Sequence, residues 1–252
     1  TPIKRLILSY EEGNRPSDES WKKAGLKVIE DYKKGTLLIV EPIDKSGITD
    51  KTVTALDENQ RVQRAYPSHR VKLPPQPPKD APEDADADAE KKTEKKIEKQ
   101  SKKIKTSNSR SSALSPVIPS DPGFSQLWGM KRINAPVAWT SAVSSPVIVA
   151  VIDTGIDYNH RDLQRNIWTS ARGTHGFNAI NGSENPLDDH GHGTHCAGTI
   201  AAIANNDLGV AGVTWDVKVM GLKFLDADGN GDDFDAIKCI DFAIEHDAKV
   251  LS

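Results

Sequence analysis

The stretch that most constrains this chain is Pro146-Val147-Ile148-Val149-Ala150-Val151-Ile152-Asp153, followed by Thr154-Gly155. A continuous, largely β-branched apolar run has no polar side to give to water, so it predicts a parallel strand buried on both faces. The carboxylate that ends it is carried to the carboxyl edge of the sheet, where catalytic groups collect in open α/β folds. Further along, Asp188-Asp189-His190-Gly191-His192-Gly193-Thr194-His195 leads into small residues from Cys196 to Ala204. That run predicts a helix. Gly193 and Gly198 each cost a helix about 1 kcal/mol relative to Ala, so both are expected where the backbone approaches a neighbour. The histidines then stand at a helix N-terminus, pointing out of a packed scaffold. A buried Asp beside such a His accepts its ring N–H, fixes the tautomer and stabilises the imidazolium.

At this point two motifs carry a resemblance. Val149-Ala150-Val151-Ile152-Asp153-Thr154-Gly155-Ile156-Asp157 and His192-Gly193-Thr194-His195-Cys196-Ala197-Gly198-Thr199 resemble the Asp and His motifs of the subtilisin-like serine proteases (subtilases), in the family's order. The resemblance implies that Asp153 is the orienting carboxylate and His192 the general base of an Asp-His-Ser triad acting on polypeptides. It implies an α/β fold over 119–252: a partial, doubly wound parallel sheet forming the N-terminal half of a subtilisin-like catalytic domain. Gln126 to Trp139 is similar to the mature N-terminus of such enzymes. Asp226-Ala227-Asp228-Gly229-Asn230-Gly231 fits their edge segment, which makes Gly229, Asn230 and Gly231 candidate substrate-binding residues. Asn205 to Val210 resembles the family's calcium loop. Carried over residue by residue, it implies side-chain ligands from Asp121, Asp162 and Asn206 and carbonyls from Ile203, Leu208 and Val210, a hard-oxygen set suited to structural Ca²⁺. Cys196 resembles the thiol of proteinase-K-like members and is expected to be buried and inert.

The remainder falls into two pieces. Over 1–73 the strand-like runs Lys4–Tyr10, Leu26–Tyr32 and Thr36–Val40, a helix after Ser17, a second helix over Thr49–Leu56 and a last strand over Arg61–Val71 read as β-α-β-β-α-β, a ferredoxin-like α+β unit. Its size, order and position are similar to the subtilase propeptide, which implies a chaperone and inhibitor whose tail lies in the active site. Residues 74–118 open with prolines, then segregate acidic and Lys-rich blocks. Such a composition supports no core and predicts a charged, disordered linker where processing cuts would fall.

Several readings are excluded or weakened. The loop at Asp226 begins like an EF-hand, but Ile237 stands where a bidentate Glu is required. Asp153-Thr154-Gly155 lacks the second carboxylate motif of an aspartic protease. His190, His192 and His195 with Asp188 or Asp189 could hold zinc, although the flanking residues fit the protease motif better. A formal net charge of −3 over 252 residues gives no reason to expect nucleic acid, and no apolar run reaches the ~18 residues of a membrane span. The family's Gly-Thr-Ser nucleophile and oxyanion Asn are absent, since Gly193-Thr194 is followed by His195. The chain therefore reads as the front of a secreted zymogen, inactive alone, with its Ser beyond Ser252. The alternative is an inactive, propeptide-like inhibitor or binding module.

Overall fold

The computed structural model describes residues 4–32, 36–44, 47–49, 52, 56, 62–75 and 115–252. Of the expected helix over 49–56, Thr52 and Leu56 are helical and residues 50–51 and 53–55 lie outside the described residues, as does most of the expected linker. The first sheet is built from β1 (Leu6–Ser9), β2 (Leu26–Tyr32), β3 (Leu37–Pro42) and β4 (Arg64–Pro67), in the order β2-β3-β1-β4 and wholly antiparallel. Between β1 and β2, α1 (Asp18–Lys23) starts at Ser17, whose side chain accepts the Ser20 N–H. Asp18 and Glu19 open α1 and Lys22 and Lys23 close it, each sign complementing the helix dipole. Alternation in β1 sends Leu6 and Leu8 into a core with Trp21, Leu38 and Val40, and sends Ile7 to the opposite face.

The expected single strand over 61–71 is two strands. Pairing of β4 with β1 ends at Pro67, which has no N–H to extend a ladder, and β5 (Arg70–Lys72) leaves this sheet.

The second part begins with α2 (Trp128–Arg132) and α3 (Ala135–Ala138), then β6 (Ser144–Asp153) and β7 (Gly176–Asn178). It continues with α4 (His192–Ala201), β8 (Asp216–Lys223), β9 (Asn230–Asp232), α5 (Asp233–Glu245) and β10 (Val250–Leu251). The parallel sheet has the order β10-β6-β8-β7. Val149, Val151, Val217 and Val219 pack on Ala197 and Ala201 of α4. The alternate residues Ala150, Met220 and Leu222 pack on Cys239 and Ala243 of α5. Helices on both faces make the sheet doubly wound, as expected from the unbroken apolar run.

Helix α4 ends at Ala201, short of the expected Ala204. Asn166 Nδ2 takes the Ala201 carbonyl at 2.8 Å, and the Asp162 carbonyl takes the Ile203 N–H at 2.9 Å, so side chain and loop replace the next helical turn. The two parts meet where Ile7 and Ile39 pack on Phe234 of α5, and where β5 pairs antiparallel with β9. Among the described residues, no helix is long and apolar enough to cross a membrane.

Candidate active site

The fold delivers Asp153 on the last residue of β6 and His192 on the first residue of α4. His192 Nδ1 lies 2.8 Å from both Asp153 Oδ1 and Oδ2. The Thr154 N–H donates to Asp153 Oδ1 at 2.7 Å, which fixes the carboxylate plane. Asp153 is buried while the His192 ring is one-third exposed, so the ring edge away from Asp153 faces accessible space. Among the described residues, no serine hydroxyl bonds to His192.

Asp188 holds the helix start against the strand end. Its Oδ1 accepts Thr154 Oγ1 at 2.8 Å and the His190 and Gly191 N–H groups at 2.9 Å. Its Oδ2 accepts the Thr194 N–H at 3.0 Å and Thr194 Oγ1 at 2.5 Å. Thr154 Oγ1 in turn accepts the Gly193 N–H at 2.9 Å. Burial works against ionisation of Asp188, but the hydrogen bonds from Gly191, Thr194 and His190 outweigh it and hold the carboxyl below its ordinary value.

Lys223, which sequence reasoning missed, is buried at the end of β8. Its Nζ donates to Asp189 Oδ1 at 2.6 Å and to the carbonyls of Thr154 and Leu225 at 2.7 Å. It thus ties the loop before His192 to the residues after Asp153. Nothing local in the sequence marks it, because strand position alone does not tell a buried Lys from a solvated one.

Three expectations for this region are adjusted. At Gly193 an added Cβ would lie 2.1 Å from the Gly155 carbonyl oxygen, as a close backbone approach requires, but at Gly198 it would meet nothing within 4 Å. The closest backbone approach is therefore at the first turn, while Ala197 and Ala201 pack on the sheet further along and Gly198 faces away. The three histidines do not converge: His190 Nδ1 accepts the His192 N–H at 3.3 Å, and His195 is exposed. Among the described residues, the group with converging ligand atoms is Asp153, His192 and Cys196. Cys196 Sγ lies 3.9 Å from His192 Nδ1, and its thiol is pushed up by burial and by the charges of Asp153 and Asp188. Asp157 caps its own turn by accepting the Asn159 N–H, and its N–H donates to Thr194 Oγ1.

The candidate substrate residues Gly229, Asn230 and Gly231 form the start of β9 and the turn before it. Asp226 Oδ1 closes that turn by accepting the Asp228 and Asn230 N–H groups at 2.9 Å. At Gly231 a Cβ would fall 2.2 Å from the Phe224 carbonyl oxygen. The Phe224 and Leu225 N–H groups donate to the Asp153 carbonyl, so β9 leads directly back to the Asp–His pair.

The candidate calcium residues also come together. Asp121 accepts the Asn205 and Asn206 N–H groups at 2.7 and 3.0 Å. Asp162 accepts Asn206 Nδ2 at 2.7 Å and the Val210 N–H at 3.0 Å. Both carboxylates are buried, and among the described residues neither is paired with Lys, Arg or His. Two buried, unneutralised carboxylates against one loop are a donor set that fits a hard cation. Ile203, Leu208 and Val210 stand in the same loop.

Residues 144–252 match the model of the subtilase family (Peptidase_S8). Thermitase of Thermoactinomyces vulgaris is 36% identical over 135 residues, covering 53% of this chain and 46% of thermitase. Subtilisin-like protease 1 of Plasmodium falciparum (isolate 3D7) is 39% identical over 121 residues, covering 41% of this chain and 18% of that protein. The alkaline elastase YaB of Bacillus sp. (strain YaB) is 45% identical over 105 residues, with 41% and 25% covered. The chain spans less than half the length of these relatives. The structure of fervidolysin from Fervidobacterium pennivorans, a keratinolytic enzyme related to subtilisin, matches 98% of this chain and 35% of its own at a TM-score of 0.63 and 22% identity. That likeness concerns the fold.

Proposed function

Because residues 144–252 belong to the subtilase family, we propose that they carry the orienting Asp and the general base of a serine endopeptidase whose nucleophile lies in chain beyond Ser252. The observation that carries the reading is the pair of 2.8 Å contacts from His192 Nδ1 to Asp153. An ionised Asp153 keeps the proton on Nδ1, which leaves the Nε2 lone pair to take a proton from a serine hydroxyl. The serine oxygen attacks the peptide carbonyl to give a tetrahedral intermediate. Its collapse passes the proton from His192 to the leaving amine, and water then resolves the acyl-enzyme through the same base. Asp153 stabilises the imidazolium throughout. Polypeptide substrates lie as an added strand against β9, with Gly229, Asn230 and Gly231 as backbone partners.

In this reading residues 1–73 are a propeptide-like inhibitor, because β5 already occupies the β9 edge. Cuts within 74–118 then release it, and the protein is a secreted zymogen. Asp121, Asp162 and Asn206, with carbonyls of Ile203, Leu208 and Val210, would hold Ca²⁺, whose role is to stabilise and not to react.

The test is to express the reading frame through and beyond the codon for Ser252 and treat the product with a fluorophosphonate. Expected is covalent labelling of one downstream serine and peptide hydrolysis. His192→Ala should abolish both, and Asp153→Asn should lower kcat by about 10⁴. Hydrolysis that survives His192→Ala would refute the assignment.

A further inference from the structure

We infer that the β9 edge selects extended peptides in which basic residues alternate with aliphatic ones, and that β5 is an in-cis example of that class. The inference deepens the reading of β9 as the substrate partner and rests on it.

Register carries the argument. Arg70 lies opposite Asp232, Val71 opposite Gly231 and Lys72 opposite Asn230. The Leu73 N–H donates to the Gly229 carbonyl at 2.9 Å and the Asp233 N–H to the His69 carbonyl at 3.2 Å. Those bonds leave Arg70–Asp232 and Lys72–Asn230 at the non-hydrogen-bonded positions, where facing side chains come nearest. Opposite charges placed so attract, and like charges repel. The edge is acidic beyond one residue, for Asp226, Asp228, Asp232 and Asp233 fall within a stretch that holds no Lys or Arg. A cation already answers it from beside the first sheet, where Arg5 reaches Asp232 at 3.1 Å, and the His69 backbone N–H donates to Asp233 at 2.9 Å.

The other face of the docked strand is apolar. Leu73 lies over Gly229, where a Cβ would fall 3.2 Å from its side-chain carbons, and it joins the cluster of Leu222, Phe224 and Leu225. Alternation is therefore read on both faces: Arg70 lies opposite Asp232 and Lys72 opposite Asn230 beside the acidic stretch, and Leu73 packs on apolar surface.

The test is a charge-reversal cycle read by amide hydrogen exchange in the 252-residue chain, which needs no hydrolysis and so fails separately from the peptidase reading. R70E/K72E should speed exchange of the Leu73 amide by about tenfold, and the same change in a D226N/D228N/D232N background should speed it less than about threefold. Amides of Val149 to Ile152 report whether the whole fold has opened. In the R70E/K72E chain, added Ac-Arg-Val-Lys-Leu-NH₂ should protect the β9 amides, and Ac-Glu-Val-Glu-Leu-NH₂ should not. An equal effect of charge reversal in both backgrounds, or equal protection by the two peptides, overturns the inference.

Discussion

Gly193 stands so close to Gly155 that a methyl group on its α-carbon would lie 2.1 Å from the Gly155 carbonyl oxygen and 3.1 Å from Asp153 Cβ. Both neighbours are fixed, one as backbone and one as the hydrogen-bonded partner of His192. Gly193→Ala must therefore push the start of α4 off the end of β6. Overpacking of this kind costs about 1–3 kcal/mol, to be read from urea unfolding of the chain. Gly198→Ala is the internal contrast. Its Cβ enters open space, so helix propensity alone acts and the variant should gain about 0.5–1 kcal/mol. Equal losses at the two positions would contradict the packing described.

Asp188 makes stability depend on acid pH. Its carboxyl is held below its ordinary value of 3.8 by the hydrogen bonds from Gly191, Thr194 and His190, which outweigh burial. A group depressed in the folded state contributes its full stabilisation above the unfolded value and loses it as pH falls through the folded one. Asp188→Asn should cost about 2 kcal/mol at neutral pH, the scale of hydrogen bonds to a charged acceptor. The deficit should shrink steadily below about pH 4 as wild type loses the same charge. Denaturant midpoints of the two proteins across pH 2–7 check this, and a deficit that stays constant with pH would refute it.

The Asp–His pair was legible because each residue sits at a boundary that composition marks. A fully apolar strand ends at Asp153, and a small-residue helix begins at His192, so position in the chain already implied position at the sheet edge. Lys223 and Gly198 were not legible for a common reason. Burial of Lys223 depends on Asp189 and two carbonyls from separate loops, and the openness around Gly198 depends on what packs over α4. Neither is a local property. The departure of β5 from the first sheet is similar: Pro67 explains why pairing stops, but the strand that receives β5 lies far along the sequence. Periodicity finds strands, and only tertiary register assigns their partners.

The two thiols should be chemically distinct. Cys196 is half-buried between His192 and Asp153, and burial with the nearby carboxylates raises its pKa. Thiolate is therefore scarce at neutral pH, and alkylation by iodoacetamide should run at least about tenfold slower than for a free cysteine, rising with pH. Cys239, enclosed between α5 and the sheet, is pushed up to about 12, mainly by burial. It should react only when the fold opens. Mass spectrometry of peptides labelled with and without urea separates the two, and fast native labelling of Cys239 would contradict the packing of α5.

The loop at Asn205–Val210 should be the chain's calcium-dependent element. Asp121 and Asp162 are buried with no basic partner among the described residues, and the bonds they accept come from backbone N–H groups and the Asn206 amide. Asn205 and Asp207 hold left-handed conformations at φ 58° and 59°, a cost the loop bears to fold around these carboxylates. A divalent cation that binds only this folded arrangement must stabilise it by mass action, by about 2.7 kcal/mol at a hundredfold excess over Kd. Calorimetry should show a higher Tm in Ca²⁺ than in chelator, with a smaller effect of Mg²⁺, which demands tighter octahedral geometry. Asp162→Asn should erase the Ca²⁺ response. It should also narrow the stability gap to wild type in chelator, because the variant removes one of two unneutralised charges. A Tm that ignores Ca²⁺ in the wild-type chain would refute the site, whatever the variant does.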